Sequence, residues 1–299
     1  MVRPVKVLDS EQAADRLLAG SVKRAYDPVI DVDWGAPLDP DKFFLPPRLI
    51  SLYKTPLWEG MTRAERIELS RHEMANIMGV GIWFENILVQ ALLRKLLGDD
   101  PTSRHTHYAL TEMGDECRHM LMFGKLIDTV GARPYRKHPV RLAGIKALPF
   151  AFRGTMLWVA ALIGEEIFDA LQRDMMDDPE LQPLVHQVMR IHVTEEARHI
   201  TYARQGVVRR MANAGPVEKQ LAGRLAGLGG PFMDLQFINP EMYRRSGLDA
   251  REAVRQARSN PHHRQARIEG FAKLAAFLQE NDLLKGQSLS LWRRAGFVA

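Results

Sequence analysis

Apolar residues recur at three- and four-residue intervals over long stretches of this chain. Sustained alternation of apolar and polar positions is nearly absent, and so are Asn-Gly hairpin signals. The pattern predicts an all-α protein. Thr62-Arg-Ala-Glu65 has the form of a capping box and opens a helix expected to reach about Leu97, ahead of Gly98. A second helix is expected after Pro101 and before Gly131. Pro149 and Gly154 break the next apolar run, leaving a helix from about Gly154 to Met176. A fourth is expected from near Pro179 to Asn213, before Gly215-Pro216. Shorter helical patterns follow at Glu218–Leu228, Ala250–Arg258 and His262–Gln279, while Asp31 to Pro47, rich in Asp and Pro, reads as a loop. Four helices of roughly 22 to 35 residues exceed the ~11–12 typical of globular proteins and belong to a bundle. No shift in composition marks a boundary. One domain over residues 1–299 is expected, with its core at about 62–213 and flanking segments packed around it.

Two of the long helices carry a repeated motif. Glu112-Met-Gly-Asp115-Glu116-Cys-Arg118-His119 and His192-Val-Thr-Glu195-Glu196-Ala-Arg198-His199 each contain Glu-x-x-His, with an acid before the Glu and an Arg before the His. Residues three apart share a helix face, so Glu116 and His119 can reach one metal ion, and so can Glu196 and His199. One such pair arises often by chance; two with matching flanks do not. The copies are 80 residues apart, and the same offset relates Glu85 to Glu165. Each half thus offers a helix with one inward Glu and a helix with Glu-x-x-His, the ligand pattern of the ferritin-like dimetal bundle. Buried carboxylates in that number need a cation, and mixed oxygen and imidazole donors suit iron or manganese better than structural zinc.

Within the repeat, Glu165 and Glu166 point about 100° apart, so only one can face a metal; the offset selects Glu165. Glu73 has no counterpart and reads as exposed or salt-bridged. Glu112 and His192 occupy equivalent positions, one turn before the motif Glu. His192 can be a third imidazole ligand, or it can hydrogen-bond from outside the ligand set; spacing leaves both open, and Glu112 is placed outside that set.

Together Glu85, Glu116-x-x-His119, Glu165 and His192-x-x-x-Glu196-x-x-His199 resemble the ligand set of the AurF-type di-iron oxygenases, the p-aminobenzoate N-oxygenase family. The resemblance covers about residues 60–210, and the histidine one turn before the last Glu-x-x-His is its distinguishing feature. It implies seven metal ligands, a ferritin-like bundle that is usually a homodimer, two iron ions (or Mn/Fe), and O2-dependent N-oxygenation of an amine. Asp115 and Glu195 are placed to accept from a ligand histidine of the opposite half, with Arg118 and Arg198 balancing charge; the alternative is ordinary surface ion pairing. Asp169 is a further candidate for that outer layer. A fatty-acyl desaturase or C–H hydroxylase shares the six-ligand pattern and is the alternative activity; an iron-binding ferritin-like protein is the alternative without catalysis. The radical tyrosine of ribonucleotide-reductase subunits would fall at Phe123, so that function is not expected.

Composition narrows the rest. The net charge of +5 comes from dispersed cations with no interleaved aromatics, which argues against nucleic acid. The most apolar window, Leu148 to Phe168, contains Arg153 and ends in Glu165, so no membrane span is expected. Cys117 is the single cysteine and fits a reducing cytoplasm; it is expected to be a small buried residue away from the ligand stripe. Met1–Lys6 shows no leader pattern. No Gly-x-Gly-x-x-Gly fingerprint is present, so electrons are expected from a separate ferredoxin or reductase.

Overall fold

The computed structural model describes residues 10–135 and 139–298. Its helices are α1 (Ser10–Lys23), α2 (Pro56–Glu59), α3 (Arg63–Leu96), α4 (Arg104–Thr129), α5 (Pro139–Ala151), α6 (Thr155–Met176), α7 (Pro183–Asn213), α8 (Pro216–Phe237), α9 (Pro240–Arg245), α10 (Ala250–Ser259), α11 (Pro261–Glu280) and α12 (Gly286–Ala295). Among the described residues there is no β-strand beyond an isolated bridge between Phe43 and Leu181. The described residues form an all-α bundle of α3, α4, α6 and α7 with flanking helices. The segment Met1–Lys6 lies outside the described residues.

Local chemistry sets the boundaries. Thr62 and Glu65 form the expected capping box at the start of α3, and Ser103 caps α4 by accepting from Thr106 N–H. Between α5 and α6 the chain turns at Gly154, whose φ of +54° disfavours any residue with a Cβ. Two boundaries differ from the sequence reading. Pro149 sits inside α5, two residues before its end at Ala151, and leaves the helix unbroken there. α7 starts at Pro183, not near Pro179, because Phe43 N–H donates to Glu180 O and Gln182 N–H donates to Phe43 O. Those bonds hold residues 180–182 extended beside a segment far away in sequence.

α3 packs on α4 and α6 on α7, giving two helical hairpins related by the 80-residue offset. α8 lies across α6 and α3, α1 across α4 and α7, and α12 on α8. One apolar cluster runs through these layers, from Ala14 to Phe297. α3 is long and apolar enough to cross a membrane by length and composition alone, yet 61% of its most apolar window is buried inside the protein. Close approach of α3 to α6 depends on Gly164, where a Cβ would lie 1.8 Å from the Phe84 ring.

Candidate metal centre

The inward faces of α3, α4, α6 and α7 converge on a group of ionisable side chains with almost no solvent contact. Glu85, Glu112, Glu116, His119, Glu165, His192, Glu196 and His199 are each at most 2% exposed. Two overlapping sets have donor atoms within 4.8 Å of one another: Glu85, His119, His192 and Glu196 in one, Glu116, His119, Glu196 and His199 in the other. Glu165 stands outside both sets. Its closest electrostatic ties are to Glu112 and Glu196.

Glu116 spans the halves: Oε2 lies 2.9 Å from His119 Nδ1, and Oε1 lies 3.0 Å from His199 Nδ1. Glu196 Oε1 is at 3.4 Å from His119 Nδ1, 3.3 Å from His199 Nδ1 and 3.4 Å from His192 Nε2. Glu85 Oε1 is 3.5 Å from His192 Nε2. Three imidazoles thus aim a nitrogen at Glu196, and His192 does so with the opposite ring nitrogen from the other two.

Behind the cluster, His119 Nε2 is 2.9 Å from Glu195 Oε2 and His199 Nε2 is 3.2 Å from Asp115 Oδ2. Each acid comes from the opposite half of the repeat. Arg118 pairs with Asp115, and Arg198 Nη2 is 3.3 Å from the same carboxylate and 3.7 Å from Glu195 Oε1.

The electrostatics reflect crowding of like charges. Burial first, then the charge of Glu116, pushes Glu85 well above the ordinary carboxylate range. Glu165 is pushed up by burial and by Glu112, and Glu196 by burial and Glu116. Burial would raise Glu116 as well, but His199 and His119 outweigh it and hold that carboxylate well below its usual range. His119 is raised to about 9: burial opposes its charge, but bonds to Glu116 and Glu195 prevail. Burial, then His119, keeps His192 neutral.

Several of these atoms lack protein partners. Both Glu165 oxygens, Glu85 Oε2, Glu112 Oε2 and Glu196 Oε2 are buried without a hydrogen bond. A buried polar group left unpaired is costly, and a carboxylate far more so. A dinuclear cation would neutralise such a set, and oxygen and imidazole donors match iron or manganese. The residues fit that group.

Four residues fall elsewhere than the sequence suggested. Glu73 is buried, not exposed or salt-bridged: Ser51 N–H and Oγ–H donate to it at 2.9 and 2.5 Å, and Tyr243 OH contacts Ser51 Oγ at 2.6 Å. Cys117 is exposed, because the helix face opposite the cluster meets solvent at that turn. Asp169 pairs with Arg173 at 2.6 Å and has no bond to a cluster histidine. Glu112, set aside in the sequence, is 1% exposed and lies against the cluster, where burial raises its carboxyl well above the ordinary range and His199 opposes that. Its equivalence to His192 at the 80-residue offset was the available signal. Glu166 pairs with Arg204, Oε2 at 2.8 Å from Nη2, while the neighbouring Glu165 faces inward.

The profile of the p-aminobenzoate N-oxygenase AurF family matches residues 7–282. The chain belongs to this family. Among its relatives are the uncharacterized proteins Rv0885 of Mycobacterium tuberculosis and Mb0909 of Mycobacterium bovis, each 31% identical over 220 residues. The match covers 70% of this chain and 64% of each relative's own length. An R2-like ligand-binding oxidase with an aerobically reconstituted Mn/Fe cofactor superposes with a TM-score of 0.41 and 14% identity, over 98% of this chain and 94% of that one.

Proposed function

We propose that this AurF-family chain is a dinuclear-iron oxygenase, or a Mn/Fe one, that uses O2 to N-oxygenate an amine. The observation that carries the reading is the pair of overlapping donor sets with His192 among them. Glu85, Glu116, His119, Glu165, His192, Glu196 and His199 would hold the two ions, and the whole of residues 1–299 would form one domain around that core. When bound, the metal pair supplies the activation of O2. The chain's own residues do the rest. Glu195 and Asp115 would accept the Nε2 protons of His119 and His199, which would free each Nδ1 to bind a metal ion held among the carboxylates. Arg118 and Arg198 offset the charge of those acids, and the buried walls keep water out.

A cavity of about 220 Å³ is lined by Trp83, Phe84, Ile163, Phe232 and Met233. Phe84 immediately precedes Glu85, and Gly164, also in the lining, precedes Glu165. No ionisable side chain lines it, so it suits an uncharged ring or a short alkyl group. It lies below the ~300–1,000 Å³ usual for ligand pockets, which favours a compact substrate. Its apolarity also supports a second reading, C–H hydroxylation or desaturation of an apolar molecule.

Purified protein supplied with iron should contain about two metal ions per chain, by the ligand count of such bundles. The loaded, reduced protein is then given O2, an electron donor and either a panel of aryl and alkyl amines or matched hydrocarbons. Hydroxylamine, nitroso or nitro products support N-oxygenation; products oxidised only at carbon move the assignment to the second reading. A single zinc ion, or none, sinks both.

A further inference from the structure

A file of buried aromatic rings beside the cluster is left without a role by the metal ligands. Trp158 of α6 packs edge-on against Tyr202 of α7, with centroids 5.0 Å apart, and Tyr202 packs edge-on against Tyr108 of α4 at 4.8 Å. All three are at most 3% exposed. At the inner end, Tyr108 precedes Glu112 by four residues on α4, one turn away on the same buried face. Tyr202 also follows His199 by three residues, on the same helix face. At the outer end, Trp158 lines an open cleft of about 500 Å³ together with Lys95, His105, Arg209 and Arg210. Gly206 makes this packing possible, because a Cβ there would lie 2.2 Å from the Trp158 ring.

Tyr202 has a base within reach. Its hydroxyl is 3.0 Å from His105 Nε2, and the Lys95 ammonium is 3.4 Å from the same nitrogen. An ammonium has no lone pair, so the Lys95 contact makes Nε2 the acceptor and puts the ring proton on Nδ1, which is buried without a partner. In that tautomer the Tyr202 hydroxyl donates to Nε2 at 3.0 Å, with the His105 carbonyl a second, longer acceptor at 3.4 Å. Burial, then Lys95 and Arg209, outweighs Asp99 and Glu11 and pushes His105 down to about 4, so the imidazole is neutral at pH 7. Tyr108 is different: its hydroxyl is buried and has no partner. Oxidising a phenol with nowhere to send its proton would leave a bare cation in the interior, which is strongly disfavoured.

We propose that Tyr202 is a redox-active residue that relays single electrons between Trp158 at the surface cleft and the metal centre, with His105 as its proton acceptor. The role rests on the dimetal reading above, in which the O2-oxidised metal pair is the oxidant. One electron leaves Tyr202 for that centre past Tyr108, the phenolic proton moves to His105 Nε2, and a neutral tyrosyl radical remains. An external one-electron donor of the ferredoxin class, docked at the cleft, returns an electron through Trp158, and the proton returns from His105. The net change is one electron passed from donor to metal pair, with no bond between heavy atoms broken.

The test has two arms. In metal-free protein, flash photo-oxidation with a soluble ruthenium polypyridyl complex is followed by electron paramagnetic resonance. A tyrosyl signal is expected that Tyr202→Phe abolishes and Tyr135→Phe leaves unchanged. His105→Gln should slow its appearance and remove its solvent isotope effect. In the second arm, reduced iron-loaded protein receives limiting O2 with no donor. The radical should form in the parent chain and be lost in Tyr202→Phe, whose iron content and circular dichroism should match the parent. If the photo-oxidised parent and Tyr202→Phe give the same signal, or neither gives a tyrosyl signal, the relay is overturned. It is also overturned if iron binds and O2 is consumed identically in both chains with no radical. Failure to bind iron overturns the dimetal reading instead, and the metal-free arm still judges Tyr202.

Discussion

His119 on α4 and Glu195 on α7 meet at 2.9 Å, and 80 residues on in the chain the pairing is reversed, with His199 on α7 meeting Asp115 on α4 at 3.2 Å. Each helix therefore lends the other an acid that fixes its histidine. In each case Nε2 donates to the acid, and Nδ1 is left facing Glu116 and Glu196. Removing the acceptor frees the ring to rotate and lowers its basicity. Glu195→Gln and Asp115→Asn should each weaken metal binding by about 10–100-fold while leaving the helices intact. Competition with a chelator, read by metal analysis, measures this; wild-type affinity in both variants would mean the pairs are only structural.

Glu165 and Glu166 are neighbours with opposite surroundings. Glu165 has two unpaired buried oxygens, whereas Glu166 is bonded to Arg204. Glu165→Gln should lose metal with little loss of fold. Glu166→Gln should keep its metal and lose about 1–3 kcal/mol of stability as the bond to Arg204 weakens. Denaturant melts beside metal analysis separate the two. The reverse pattern would show that the 80-residue register fails in the second half.

His192 brings a third imidazole to within 3.5 Å of Glu85 and Glu196 and packs at a tilt against Phe123, centroids 4.7 Å apart. His192→Ala should retain the bundle and at least one iron, but change the optical spectrum of the oxidised protein and lose most activity. Glu112→Gln, at the equivalent site, should change the spectrum less. Unchanged spectra in His192→Ala would place that ring outside the metal's reach.

Glu73 gives the protein a pH dependence of its own, away from the metal. Burial raises its carboxyl from 4.5 to about 7, against the hydrogen bonds from Ser51. The folded value is the higher one, so the contribution to stability is complete below pH 4.5 and is lost as pH rises through about 7. The loss amounts to about 3 kcal/mol. Glu73→Gln imitates the protonated form and should flatten that slope, being more stable than wild type at pH 8 and close to it at pH 5. Urea melts at both values check this, and parallel curves for the two proteins would refute it.

The sequence by itself determined the helices and which carboxylates and histidines share a helix face, because both are local. A three-residue spacing puts Glu116 with His119, and Glu196 with His199, on one face whatever the rest of the chain does. The 80-residue repeat then selected Glu85 and Glu165 without reference to space. Tertiary structure decided everything that depends on distant partners. Glu73 is buried because Ser51 and Tyr243, 22 and 170 residues away along the chain, come to it. α7 starts late because Phe43 claims the backbone of residues 180 and 182. Tyr202 meets its base only because α4 brings His105, 97 residues distant, to 3.0 Å. Periodicity records which face of a helix is apolar; it holds no term for what that face will be pressed against.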